Sequence, residues 1–182
     1  MKKPLAPILS LLLIASLAPS VRAQKKEAAP ESSPFSSPTI DIGIVASDLE
    51  KSAKFYTEAL GLTEAKGFTA TAEKATAFGL TKNLGADIRV FVLGEGEGAT
   101  KLKLMSFPTA PGAKPDQSFI HSTVGISYLT LRVADMDATL ARLKAAKVEL
   151  LGETPANLSG NMYLTTVRDP DGNFIELIGP MK

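Results

Sequence analysis

The chain has 182 residues, no cysteine, one histidine and a formal charge of +1. Disulfides and a thiol nucleophile are therefore excluded, and no basic surplus exists to draw the protein to nucleic acid. Removal of residues 1–23 would take away Lys2, Lys3 and Arg22 but no acid, leaving a formal charge of −2.

The first elements belong to targeting. Lys2 and Lys3 precede an apolar run from Ile8 to Leu17, and Val21-Arg22-Ala23 resembles a signal-peptidase site. This is the layout of a secretory signal peptide over residues 1–23, with an apolar core too short to span a bilayer. It predicts an exported protein, periplasmic or secreted; the alternative is an uncleaved N-terminal anchor. Residues 24–38 are mostly Ala, Pro, Ser, Lys and Glu, and they bury too little to offset their ordering entropy. They read as a disordered linker. Residues 39–182 remain, enough for one domain with a sizeable core. They hold no apolar stretch long enough for a membrane helix, so no membrane contact is expected after cleavage.

Ile40, Ile42 and Ile44 alternate with Asp41, Gly43 and Val45, a period-two strand pattern. Asp48 is placed to cap a helix whose stripe is Leu49, Ala53, Phe55, Tyr56 and Leu60, and Gly61 closes it. A strand near 63–68 follows, then a helix-prone insert over 69–86. Strands at 87–93 and 101–107 are joined by a glycine-rich turn at 94–98. These complete module one, residues 39–107.

Residues 108–123 are rich in Pro, Gly and polar groups and read as a linker. Module two, residues 124–180, repeats the pattern: Leu129-Thr130-Leu131-Arg132-Val133, then Asp135 as a cap 87 positions after Asp48. A helix with Met136, Leu140 and Leu143 leads to a strand at 148–151. Strands at 161–168 and 173–178 form a hairpin across Asp169-Pro170-Asp171-Gly172, where Pro presets the turn and Gly tolerates positive φ. Each module is thus βαβββ, giving an α+β fold. Helices on one face of each mixed sheet leave the other face free to line a cup.

Four segments carry a resemblance: Val45-Ala46-Ser47-Asp48-Leu49-Glu50-Lys51-Ser52, Phe55-Tyr56, Leu60-Gly61-Leu62, and Asp169 to Leu177 with its Asp-Pro-Asp-Gly-Asn start. In order and spacing they resemble the vicinal oxygen chelate superfamily of glyoxalase I, bleomycin-resistance proteins and extradiol dioxygenases. The resemblance implies paired βαβββ modules whose curled sheets share a cup. In metal-dependent members, ligands come from the first and fourth strands of each module. The matching positions here are Asp41, Lys103, Tyr128 and Glu176.

That donor set departs from the pattern. A lysine ammonium has donors and no acceptor, and a neutral phenol is a poor ligand for magnesium, manganese, nickel or zinc. No bound metal or other cofactor is therefore expected. On one reading Lys103 replaces the ion and pairs with Glu176 and Asp41 across the modules, with Tyr128 donating a hydrogen bond. On the other, Lys103 lies on a solvated edge. Leu102 and Leu104 flank it, and their alternation favours the first.

Arg89, Phe91, Met105, Thr130 and Arg132 are assigned to the same cup, which would accept a small organic anion. For Arg89 and Arg132 the alternative is a stem packed on the sheet with its head in water. The expected function is binding of a small organic molecule between the modules. The alternative is a glyoxalase-type lyase or isomerase with Glu176 as base, with or without a metal. Arg89 or Lys103 would then stabilise the enolate. His121 alone cannot build the two-histidine, one-carboxylate iron site of a dioxygenase. Exchange of modules through the linker would pair two chains as a homodimer.

Overall fold

The computed structural model describes residues 34–182, so the predicted signal peptide and most of the disordered linker lie outside the described residues. Module one runs β1 (Ile42–Val45), α1 (Leu49–Lys54), β2 (Thr63–Ala70), α2 (Ala72–Ala77), β3 (Ala86–Val92) and β4 (Lys101–Met105). Module two runs β5 (Tyr128–Arg132), α3 (Met136–Ala145), β6 (Leu151–Ser159), β7 (Met162–Arg168) and β8 (Phe174–Pro180). The fold is α+β, with the two tandem βαβββ modules expected from the repeat.

Each module forms its own four-stranded mixed sheet, ordered β1-β4-β3-β2 and β5-β8-β7-β6. In each, the first strand pairs parallel with the last and the other pairs are antiparallel. The parallel pairing follows from the crossover helix, since a parallel pair cannot be joined by a tight turn.

Both predicted caps form. The Asp48 carboxylate accepts from the Lys51 N–H at 3.0 Å, and Asp135 accepts from the Ala138 N–H at 2.9 Å. After Lys54 the first helix widens into a π-helical turn, Phe55–Ala59, in which the Leu60 N–H reaches back to the Phe55 carbonyl. Gly61 then takes φ +83°, the left-handed conformation that ends the helix.

One apolar core serves both modules. Phe55, Tyr56, Leu60, Phe91, Leu102 and Leu104 of module one join Met136, Leu143, Val167, Ile175 and Leu177 of module two in a single cluster. These residues lie on the helix-bearing side of each sheet. Polar contacts reinforce the joint: the buried Tyr56 hydroxyl donates to Asp169 Oδ2 at 2.9 Å, and the Ser47 N–H donates to the Asp171 carboxylate at 3.1 Å. The Asp-Pro-Asp-Gly-Asn turn is therefore both a hairpin and a clasp on module one. Gly172 holds φ +99° there, as the hairpin reading requires.

One strand differs from expectation. The run 148–151 gives only the start of β6, which begins at Leu151 and continues to Ser159 through Pro155. The proline obscures the strand in sequence. It is tolerated because β6 is an edge strand whose pairing with β7 is irregular between Leu151 and Ala156.

Candidate functional site: two open sheet faces

Register decides which side chains share a face, since residues opposite one another in an antiparallel pair project the same way. Leu102 and Leu104 point into the core, so Lys103 and Met105 point away from it, as alternation predicted. In β1, Gly43 lies beside Lys103 and Val45 beside Met105, so this strand adds Val45 to the open face of module one.

Arg89 and Phe91 are not on that face. Arg89 sits opposite Leu104 and Phe91 opposite Leu102, which turns both towards the helices. Phe91 is 0 % exposed and belongs to the core. The Arg89 guanidinium grips Glu64 with Nε and Nη2 at 2.7 and 2.8 Å, and reaches Glu50 of α1 at 2.9 Å. It fastens α1 to the sheet, and its hydrogen bond holds the Glu64 carboxyl below the usual range. Val90, opposite Lys103, takes the site-facing place expected for Arg89 and Phe91.

Asp41 and Lys103 meet. The ammonium lies 2.9 Å from Asp41 Oδ2 in a half-exposed pair. That hydrogen bond is the main reason the Asp41 carboxyl is depressed, and the Lys101 N–H donates to its other oxygen at 3.2 Å.

In module two, Tyr128, Thr130 and Arg132 pair with Phe174, Glu176 and Ile178 on the open face of the β5–β8 pair. The Thr130 hydroxyl donates to Glu176 Oε2 at 2.7 Å. Tyr128 is 47 % exposed, and the Arg132 guanidinium has no hydrogen-bond or ion-pair partner among the described residues.

The expected pairing of Lys103 with Glu176 is absent within the chain. Among the described residues Lys103 bonds only in its own module, and so does Glu176. The reason is architectural: the two sheets share a core through their helix sides, which leaves the open faces on the far side of each sheet.

Sequence reasoning missed Phe174 and Arg168. Arg168 stacks on the Phe174 ring at 4.2 Å, and it donates to the carbonyls of Gln117 and Ser118 in the inter-module linker. Parity would have found Phe174, two residues before Glu176; Arg168 required the hairpin register that places it opposite Phe174. His121 lies outside the face in an exposed loop, stacked on Phe119 with centroids 5.6 Å apart.

The four positions that would hold a metal do not suit a divalent ion. An ammonium already neutralises Asp41, Tyr128 offers a phenol, and Glu176 lies on the other sheet. A cavity of about 650 Å³ lies elsewhere, between the π-helical turn, the end of α3 and the Asp169–Pro170 turn.

Tandem βαβββ modules, each with an open face opposite its helix, define a glyoxalase-type fold. The sequence model of the Glyoxalase/Bleomycin resistance protein/Dioxygenase superfamily matches residues 40–177, and the chain belongs to that superfamily. A glyoxalase family protein from Bacillus cereus is 21 % identical, with a TM-score of 0.68, covering 85 % of this chain and 100 % of that one. A glyoxylase/bleomycin resistance protein/dioxygenase domain from a Frankia species is 19 % identical, with a TM-score of 0.56, covering 82 % of this chain and 93 % of that one. A glyoxalase/dioxygenase from Nostoc punctiforme is 19 % identical, with a TM-score of 0.54, covering 78 % and 90 %. At these identities the likeness is one of fold. No curated protein matches the sequence.

Proposed function

We propose that the protein is exported and binds a small organic anion on its open faces without a metal ion. The carrying observation is the charge presented there. Lys103 and Arg132, the latter unpartnered among the described residues, offer an ammonium and a guanidinium where a metal site would offer lone pairs. Tyr128 and Phe174 border them with aromatic surface, which suits a ligand with an acidic group on an apolar body. Export is supported by the basic, apolar and small-residue order of residues 1–23. Two copies would bring a face of each kind together, so the working form is a homodimer.

A second reading keeps Glu176 as a general base in a lyase or isomerase. It is favoured by one observation: among the described residues Glu176 accepts a hydrogen bond from Thr130 alone, which leaves its other carboxylate oxygen open to a substrate proton.

The test uses residues 24–182. Bound metal is measured by mass spectrometry, manganese and nickel are titrated calorimetrically, and a panel of organic carboxylates and phosphonates is screened by thermal shift. The proposal expects no stoichiometric metal and a rise in Tm with a subset of acids. A stoichiometric ion that rebinds tightly after chelation would overturn it. Loss of substrate turnover in Glu176→Gln with binding retained would promote the second reading.

A further inference from the structure

The cavity of about 650 Å³ between the two modules is lined by none of Lys103, Tyr128, Arg132 and Glu176. We infer that it is a second binding site, one that takes a small zwitterion with an apolar body, of the amino-acid or dipeptide class. The inference is independent of the reading given for the open faces.

Size and floor come first. The volume lies in the range that encloses a small organic ligand. Its lining includes the buried Phe55 and Ala59 of the π-helical turn, the half-buried Val148 and Leu151 after α3, and Pro170 of the hairpin. A hydrophobic side chain laid there leaves water for apolar surface supplied by both modules.

Charge defines the rest of the ligand. Lys54 and Glu58 both line the cavity, lie 3.8 Å apart and largely cancel. Lys51 of α1 and Lys147, just beyond α3, then remain as ammonium groups with no ion-pair partner among the described residues. Facing them in charge is Glu149, whose carboxylate is also unpaired among those residues. The carbonyls of Ala145 and Ala146 end α3 without a hydrogen-bond donor, and both residues line the cavity. The negative end of the α3 dipole adds to these acceptors. A simple anion would meet Glu149, and a simple cation would meet two lysines. A molecule that carries both charges suits both sets: its carboxylate goes to Lys51 and Lys147, its ammonium to Glu149 and the α3 carbonyls.

Backbone strain marks the same wall. The second module's helix ends on Lys147 at φ +56°, whereas the equivalent end in module one is Gly61 at φ +83°. The Lys147 N–H donates to the Lys144 carbonyl at 3.0 Å and the Val148 N–H to the Leu143 carbonyl at 2.9 Å, the reach-back pair that goes with this conformation. Left-handed backbone favours glycine over any residue with a Cβ, so lysine is a costly choice for a cap alone. A binding role for its side chain at the cavity wall accounts for that strain.

Calorimetric titration of residues 24–182 with leucyl-phenylalanine tests this, beside its N-acetyl form, which lacks the ammonium, and its amide, which lacks the carboxylate. The free dipeptide is expected to bind with a Kd below about 1 mM, and each blocked form about tenfold more weakly. Lys147→Gly should weaken the free dipeptide about tenfold and leave the amide unchanged, because the amide has no carboxylate to lose. Glu149→Gln should likewise weaken the free dipeptide and spare the N-acetyl form. Lys147→Gly relieves the backbone, so its melting temperature without ligand should not fall below that of wild type.

Absence of binding by the free dipeptide, equal binding of the three forms, or a Lys147→Gly variant that binds as wild type would each overturn the inference. So would a Lys147→Gly variant that melts below wild type, since the lysine would then serve the helix end and not a ligand.

Discussion

Tyr56 and Asp169, 113 residues apart, form a buried hydrogen bond of 2.9 Å across the joint between the modules. The carboxylate also accepts from the backbone N–H groups of Asp171 and Asn173 and from the Asn173 amide. Burial first, and then the carboxylate, pushes the Tyr56 hydroxyl well above its usual range, so it remains a donor at any working pH. Tyr56→Phe should cost about 1–2 kcal/mol in chemical denaturation, the range for an unmade buried hydrogen bond. Binding on the open faces should be unchanged. A variant as stable as wild type would show that the apolar core alone holds the joint.

Arg89 and Arg132 make opposite predictions. Arg89→Ala releases α1 from Glu50 and Glu64, and the exposed setting limits the loss to about 1 kcal/mol. Anion affinity should not move. Arg132→Ala should leave stability within about 0.5 kcal/mol and weaken the bound acid about tenfold, less so at high salt. Parallel denaturation and calorimetry on both variants check the pair.

Acid should loosen module one. The Asp41 carboxyl is depressed in the folded chain, so its contribution is complete above the unfolded value, about 3.9, and is lost as pH falls through the folded value. Lys103→Met removes the main cause. Its melting temperature should fall less steeply below about pH 4 than that of wild type, in a thermal melt series.

Lys103→Glu should also change the metal chemistry. It replaces an ammonium with a carboxylate next to Asp41 and supplies oxygen donors in place of a repelling charge. Calorimetric titration with nickel or manganese should then show tighter binding than in wild type. Absence of any gain would mean that the geometry of the face, and not the charge at position 103, is what disfavours an ion.

Much of the fold was legible because the repeat and both aspartate caps report local rules that tertiary packing had no reason to override. Lys103 could be aimed correctly because its two leucine neighbours differ from it sharply in polarity. Arg89 and Phe91 could not. In β3, valines alternate with an arginine and an aromatic, so period two separates the residues into two sets without saying which set faces the helices. Only the pairing of Phe91 with Leu102 decides that. The separation of Lys103 from Glu176 was illegible for another reason: a repeat states that two halves are equivalent, not whether their open faces meet in one chain.

The π-helical turn at Phe55–Ala59 gives the joint a peculiar tolerance. A widened turn accommodates one residue more than an α-helix over the same rise, and it begins at the buried Phe55 and Tyr56. Removing one residue after the tyrosine, for instance Thr57, would return the segment to ordinary winding and keep Leu60 and Gly61 close to their present phase. The same deletion in a straight α-helix would turn everything downstream by about 100°.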